Sequence, residues 1–133
     1  MQITKQADYA IRAVLYLSRQ PEKRAPTNQI AQAMHVPPSF LAKIVAQLAV
    51  AGLIHTARGA GGGITLARDP ATISLLDIVE AIDGPILLSE CVSTTGQCGM
   101  KNECPLQAIW IETQHFLLDR LRAVNFGQLV QSG

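Results

Sequence analysis

Cys91, Cys98 and Cys104 are the only cysteines among the 133 residues, and they fall within one stretch of 14. Their neighbours are Ser, Thr, Gly and Glu, so burial in an apolar core does not account for them. Three thiols cannot all pair, and disulfides are disfavoured in a reducing compartment. Metal or redox chemistry remains. Thiolates are soft ligands suited to iron–sulfur clusters, Zn²⁺ or Cu(I). The spacing is C-x6-C-x5-C, with no C-x2-C knuckle, which counts against a zinc ribbon. Spacers this long let one loop wrap an object larger than a single ion. An iron–sulfur cluster, [2Fe-2S] or [4Fe-4S], is therefore favoured over zinc, with three unliganded thiols as the plain alternative. A cluster takes four ligands and the loop gives three. Glu90, Glu103, His35, His115, Asp8 across a dimer, solvent or a small thiol could each supply the fourth. A mixed ligand set makes a cluster reactive, which suits sensing better than electron transfer.

A second stretch, residues 36–66, has its own chemistry. Pro37 and Pro38 end one element and open a helix. Phe40, Leu41, Ile44, Val45, Leu48 and Val50 then recur at helical spacing, and Gly52 closes the run. Residues 53–57 and 64–67 are short β-favouring runs. Between them stands Arg58-Gly59-Ala60-Gly61-Gly62-Gly63, a tip whose glycines let backbone come close to another molecule. Such a helix fits a DNA major groove, and the arginine-bearing tip fits a minor groove. A helix and hairpin without a ligand would be the plain alternative.

These residues need a scaffold. Residues 4–19 form a first helix capped by Thr4, with Tyr9, Ala10, Ala13, Val14 and Leu17 on one face. Residues 20–26 are a polar loop. Thr27 caps a short second helix through Met34, with Ile30, Ala31 and Met34 inward. A short helix, a tight turn at residues 35–37 and a longer helix make a helix-turn-helix unit. Ser74 caps a fourth helix that Gly84 and Pro85 stop. Asp77, Glu80 and Asp83 there are expected on a solvated surface. Residues 86–103 lose periodicity, and Pro105 opens a last helix. Its stripe, Leu106, Ile109, Trp110, Thr113, Phe116, Leu117, Leu121 and Val124, has too few partners in one copy and is expected to meet a second copy of itself. The fold class is thus mainly α with a small β-hairpin. A winged helix-turn-helix domain over 1–84, with its wing at 53–67, leads to a cysteine loop at 85–104. A dimerisation helix follows at 105–126, with a frayed tail at 127–133.

The totals agree. A chain of this length makes one domain with a core that needs no staples. The longest strongly apolar uncharged run, residues 44–57, is 14 long, too short to span a bilayer, and no signal peptide is apparent, so a cytoplasmic protein is expected. Net charge is +1, but residues 1–68 carry eight basic and two acidic side chains (+6) and residues 69–133 carry three and eight (−5). A basic half that holds the helix-hairpin element is what a nucleic-acid reader with a second function shows. His35, His55 and His115 are scattered and no nucleophile motif accompanies them, so no enzyme is indicated.

Together these residues make the chain resemble the IscR/NsrR/CymR family of bacterial winged-helix regulators, also called the Rrf-two family. The likeness covers about residues 1–126. It is most specific from Pro38 to Arg68, where Ser39-Phe40-Leu41 stands for the family's S-Y-L and Arg58-Gly59-Ala60-Gly61-Gly62-Gly63-Ile64 for its R-G-x-G-G-G-Y. The three cysteines match the loop of the iron–sulfur members, save that the first spacer is six residues where five is usual. In the nitric-oxide-sensing branch, an aspartate in a T-D-Y-A context completes the cluster from the partner subunit. Ala7-Asp8-Tyr9-Ala10 stands there, so the resemblance implies Asp8 as the fourth ligand. Gln107 occupies the place of the histidine used by the cluster-assembly branch, which disfavours that route, and His35 is the second choice.

The resemblance implies a homodimeric repressor reading a pseudo-palindromic site in double-stranded DNA, its affinity set by a cluster that senses nitric oxide, redox state or iron. Ser39, Phe40 and Lys43 would lie nearest bases or phosphates, Arg58, Gly59, Gly61 and Gly62 at the minor groove, and Thr27 and Gln29 on phosphate. The alternatives are a cluster-free regulator of the same family that acts through a partner, and a small iron–sulfur redox protein.

Overall fold

One face of the first helix sets the centre of the protein. Tyr9, Ala10, Ala13, Val14 and Leu17 all lie on it and all are buried. The computed structural model describes residues 2–57, 63–89, 92 and 104–132. Its elements are α1 (Lys5–Arg19), β1 (Arg24–Ala25), α2 (Thr27–Met34), α3 (Pro38–Val50), β2 (Ile54–Ala57), β3 (Gly63–Leu66), a 3-10 turn (Pro70–Thr72), α4 (Leu75–Asp83), α5 (Gln107–Ala123) and α6 (Phe126–Ser132). The expected class holds: mainly helical, a small sheet, and a long helix late in the chain. The Thr4 hydroxyl caps α1 by accepting from the Ala7 amide at 3.1 Å. Around α1 pack α2, α3, α4 and α6, and Ile30, Leu41, Ile44, Leu48, Ile78 and Phe126 close the core.

The wing is broader than a hairpin. The sheet has three antiparallel strands in the order β1-β3-β2. Arg24 and Ala25, expected in a polar loop, pair with Thr65 and Ile64 of β3, while β2 pairs from Ile54↔Leu66 to Ala57↔Gly63. Strand β1 is what holds the wing to the loop between α1 and α2. Gly63 makes this possible, because a Cβ there would stand 2.6 Å from the Ala25 carbonyl oxygen. Both atoms belong to backbone, so neither can swing away. Gly63→Ala is therefore expected to destabilise the protein by about 2 kcal/mol, in the range of other overpacked sites. Urea unfolding followed by circular dichroism measures it; an unchanged midpoint would mean β1 is not needed.

The tail expected to fray does not. Residues 126–132 form α6, and Phe126 is fully buried. Two backbone hydrogen bonds lock its entry: Leu75 N to Val124 O at 2.8 Å and Phe126 N to Ile73 O at 3.1 Å. The dehydrated Phe126 ring and Leu129 join the main core, which is why the segment orders.

Two of the acidic side chains expected on a solvated surface keep solvent contact, Asp83 exposed and Asp77 half-buried, and also act as local partners. Asp77 completes a capping box with Ser74 at the start of α4. Asp83, at its end, accepts from the Thr4 hydroxyl at 2.5 Å.

Candidate nucleic-acid interface and thiolate loop

The turn between α2 and α3 is made by His35, which stands in the left-handed conformation at φ 55° and ψ 46°. Its amide and that of Val36 both donate to the Ala31 carbonyl, so α2 ends abruptly. Val36 is buried, and Pro37 and Pro38 open α3 with no amide hydrogen wasted. Helices α1 and α4 and the 3-10 turn are capped by their own side chains, Thr4, Ser74 and Asp69. Helices α2 and α3 have no side-chain cap and no acidic residue in the first turn. Their positive ends are therefore left open, and a phosphate oxygen is the natural partner for such amides. Thr27 does not cap α2 as expected. Pro26 holds the cap position, and Thr27 is the first helical residue, exposed.

The side chains expected to read DNA divide into two groups. Ser39, Phe40 and Lys43 all lie on the exposed side of α3, whereas Leu41, Ile44 and Leu48 face the core. Gln29 is exposed near the start of α2, and its amide donates to the Tyr16 hydroxyl from α1. Tyr16 was not singled out from the sequence, because the pairing crosses two elements. Arg58, Gly59, Gly61 and Gly62 lie outside the described residues; the strands that carry them close at Ala57↔Gly63.

Of the thiolate loop, Cys91 and Cys98 lie outside the described residues. Cys104 is described: a free thiol, half-buried, just ahead of α5. The other end of the loop is fixed by Gln114 of α5, which is buried. Its amide nitrogen donates to the Ile86 carbonyl, and its amide oxygen accepts from the Leu88 amide at 3.0 Å. Both ends of the cysteine segment are thus tied to one helix. Among the described residues no three metal-ligating side chains are gathered at one place. The Ser89 hydroxyl, two positions before Cys91, is buried without a hydrogen-bond partner among the described residues.

Asp8 lies on α1 with its side chain half exposed, ion-paired to Arg12 at 2.8 Å. Arg12 also donates to the Met34 carbonyl at 3.2 Å, the last residue of α2. Its guanidinium stands 5.5 Å from the centre of the Tyr9 ring. The Tyr9 ring lies 5.8 Å from that of Phe40 on α3. A continuous chain of contacts therefore runs from Asp8 to both helices of the helix-turn-helix. Arg12 was missed from sequence, although its four-residue spacing from Asp8 was a signal for the ion pair.

Helix α5 has two characters. Leu117, Leu118 and Leu121 rest on Leu76, Val79 and Ile86. Ile109, Trp110 and Phe116 are exposed, Phe116 by 72%. No single helix among the described residues is long and apolar enough to cross a membrane.

A helix-turn-helix with open N-termini, backed by a three-stranded wing, defines a winged helix-turn-helix DNA-binding regulator. The family model for Rrf2, "Iron-dependent Transcriptional regulator", matches residues 3–132, and the chain belongs to that family. Protein aau3 of Rhizobium meliloti (strain 1021) is 32% identical over 133 residues, 99% of this chain and 86% of that one. The HTH-type transcriptional regulator NsrR of Shouchella clausii (strain KSM-K16) is 32% identical over 132 residues, 98% and 89% of the two chains. The solved structure of CymR (YrzC), the global cysteine regulator of B. subtilis, has the same fold, with a TM-score of 0.84 at 24% identity over 100% of this chain and 98% of that one. Family membership makes the chain a transcriptional regulator and sets aside the reading as a small redox protein.

Proposed function

We propose that two copies of this chain pair through α5 and repress transcription from a pseudo-palindromic operator, with DNA affinity set by an iron–sulfur cluster. Cys91, Cys98 and Cys104 would hold the cluster, completed by Asp8 of the partner subunit. Three soft donors in one segment suit iron and sulfide. The Ser89 hydroxyl, without a partner among the described residues, suits an acceptor-rich group nearby. When bound, the cluster supplies a centre that reacts with nitric oxide or oxygen and responds to iron supply. The exposed Ile109, Trp110 and Phe116 support the pairing.

The observation that carries this reading is the double grip of Arg12. It holds the Asp8 carboxylate and the last carbonyl of α2 at once. An Asp8 engaged by the partner's loop no longer neutralises Arg12. Arg12 then rests on the Met34 carbonyl and the Tyr9 ring alone, and α2 and α3 are held differently. A change worth about 3 kcal/mol alters affinity roughly 150-fold, enough for a switch.

Arg12→Met tests it. In the parent, loaded and stripped protein should differ roughly 150-fold in operator affinity by gel shift. In Arg12→Met that ratio should collapse to within about threefold, with the iron content of the loaded form unchanged. An undiminished ratio would remove Arg12 from the path. Anaerobic purification decides the rival, a cluster-free regulator acting through a partner: a colourless, iron-free parent would establish it.

Phosphate contact from the basic half also makes a prediction. Operator affinity should fall steeply with salt, and Arg58→Ala should weaken binding and lower the slope by about one per protomer. An identical slope in the variant would remove the wing arginine from the interface.

A further inference from the structure

The exposed side of α3 has little with which to read base edges. From its first turn onward it presents Ser39, Phe40, Ala42, Lys43 and Ala46. The two alanines have no hydrogen-bonding group. Lys43 is a mobile point charge that serves phosphate as readily as a base. The Ser39 hydroxyl both donates and accepts, so it discriminates weakly between base pairs. The largest side chain on this side is Phe40, and it is 42% exposed.

Phe40 is also held in place. Its ring meets that of Tyr9 at 5.8 Å between centres and 59° between planes, a tilted aromatic contact. Tyr9 is itself buried at 8% exposure and has the Arg12 guanidinium at its ring. One side of the Phe40 ring is thus fixed against the core and the rest is left in water. It is an apolar surface with no hydrogen-bond capacity, at the open end of the helix that a major groove receives. The major-groove edges of the bases are donors and acceptors, with one apolar exception: the 5-methyl group of thymine, or of a methylated cytosine.

We propose that Phe40 is a specificity-determining residue that reads a pyrimidine 5-methyl group in each operator half-site. This rests on the DNA-binding reading of α3 and adds which chemical group is recognised. Phe40 offers neither the cytosine amine nor the thymine carbonyl a partner, so it prefers thymine to a bare cytosine at that step only by covering the methyl group. Tyr9 is a positioning residue: it keeps the ring from turning away.

The test starts from duplexes selected out of a random pool by the parent dimer. Each thymine of the selected site is then replaced singly by deoxyuridine, which removes the methyl group and leaves base pairing intact. One position per half-site should lose about fourfold in affinity, the value for one methyl-sized group taken out of contact. A 5-methylcytosine–guanine pair at that step should bind more tightly than cytosine–guanine. In Phe40→Ala the thymine-to-uracil ratio should fall to about one, and in Phe40→Leu it should persist in part. Each ratio is taken within one variant, so a general loss of stability cancels. If the parent enriches a sequence but no deoxyuridine position matters, or if Phe40→Ala keeps the ratio, the methyl reading is overturned and DNA binding stands. If no sequence is enriched at all, both fail.

Discussion

Prepared without air, the Cys104→Ser variant is expected to be colourless and free of iron and sulfide, and to hold its operator roughly 150-fold more weakly than the loaded parent. Serine is nearly isosteric with cysteine, and the Cys104 carbonyl, which the substitution leaves in place, accepts from the Gln107 amide at 3.3 Å. The start of α5 is therefore preserved. What is removed is one of three thiolate donors, and a hydroxyl is a poor ligand for iron in a sulfide-rich centre. The variant should melt where the stripped parent melts, since both lack the stabilisation that a bound group gives the folded state. Absorbance, iron and sulfide analysis, circular dichroism and gel shift check the four parts separately. A brown variant would mean Cys104 is not a ligand. A colourless variant with full operator affinity would break the link between the thiolate loop and DNA.

Phe126→Ala is expected to destabilise the protein by about 4 kcal/mol and lower its melting temperature by roughly 10–15 °C. Phe126 has no exposed surface, and it packs in the same core as Leu17, Ile30 and Ile78. Truncation leaves a cavity that backbone on either side cannot fill. The Ile73 carbonyl fixes the Phe126 amide, and Gly127 sits so close to Ala71 that even a Cβ would come within 3.1 Å of its Cα. Differential scanning calorimetry on parent and variant measures the loss. A change under 2 °C would show that α6 is an ornament of the fold and not a part of it.

Much of this architecture was legible because the signals are local. Thr4, Ser74 and Gly84 punctuate helices, and Pro37 and Pro38 open α3, whatever surrounds them. The inward faces of α1, α2 and α4 followed from periodicity. What was missed depends on partners distant in sequence. Arg24 and Ala25 make a strand only because β3 passes beside them; two residues carry no pattern of their own. Residues 126–132 read as a tail because they are few, although Phe126, Leu129 and Val130 do have helical spacing. Val50, counted with the apolar run of α3, is 91% exposed, since the run outlasts the face that packs. That Ser39, Phe40 and Lys43 share the exposed side of α3 was legible from their place early in a helix after two prolines. The Gln29–Tyr16 and Arg12–Met34 bonds were not, because each joins two helices whose relative placement no short window encodes. The thiolates were conspicuous by type and spacing alone.

Strand β1 has a mechanical consequence. It joins the loop leading into α2 to β3, so the helix-turn-helix and the strands of the wing ride on one frame. Neither can be withdrawn while the other stays. In the dimer proposed above, a change in how α2 and α3 are held is then felt as a change in how two such frames are set against each other, and the yardstick for that is the number of base pairs at the centre of the proposed palindrome. Each added pair rotates the far half-site by about 35° around the duplex axis, which places it on a different side of the cylinder from the frame meant to meet it.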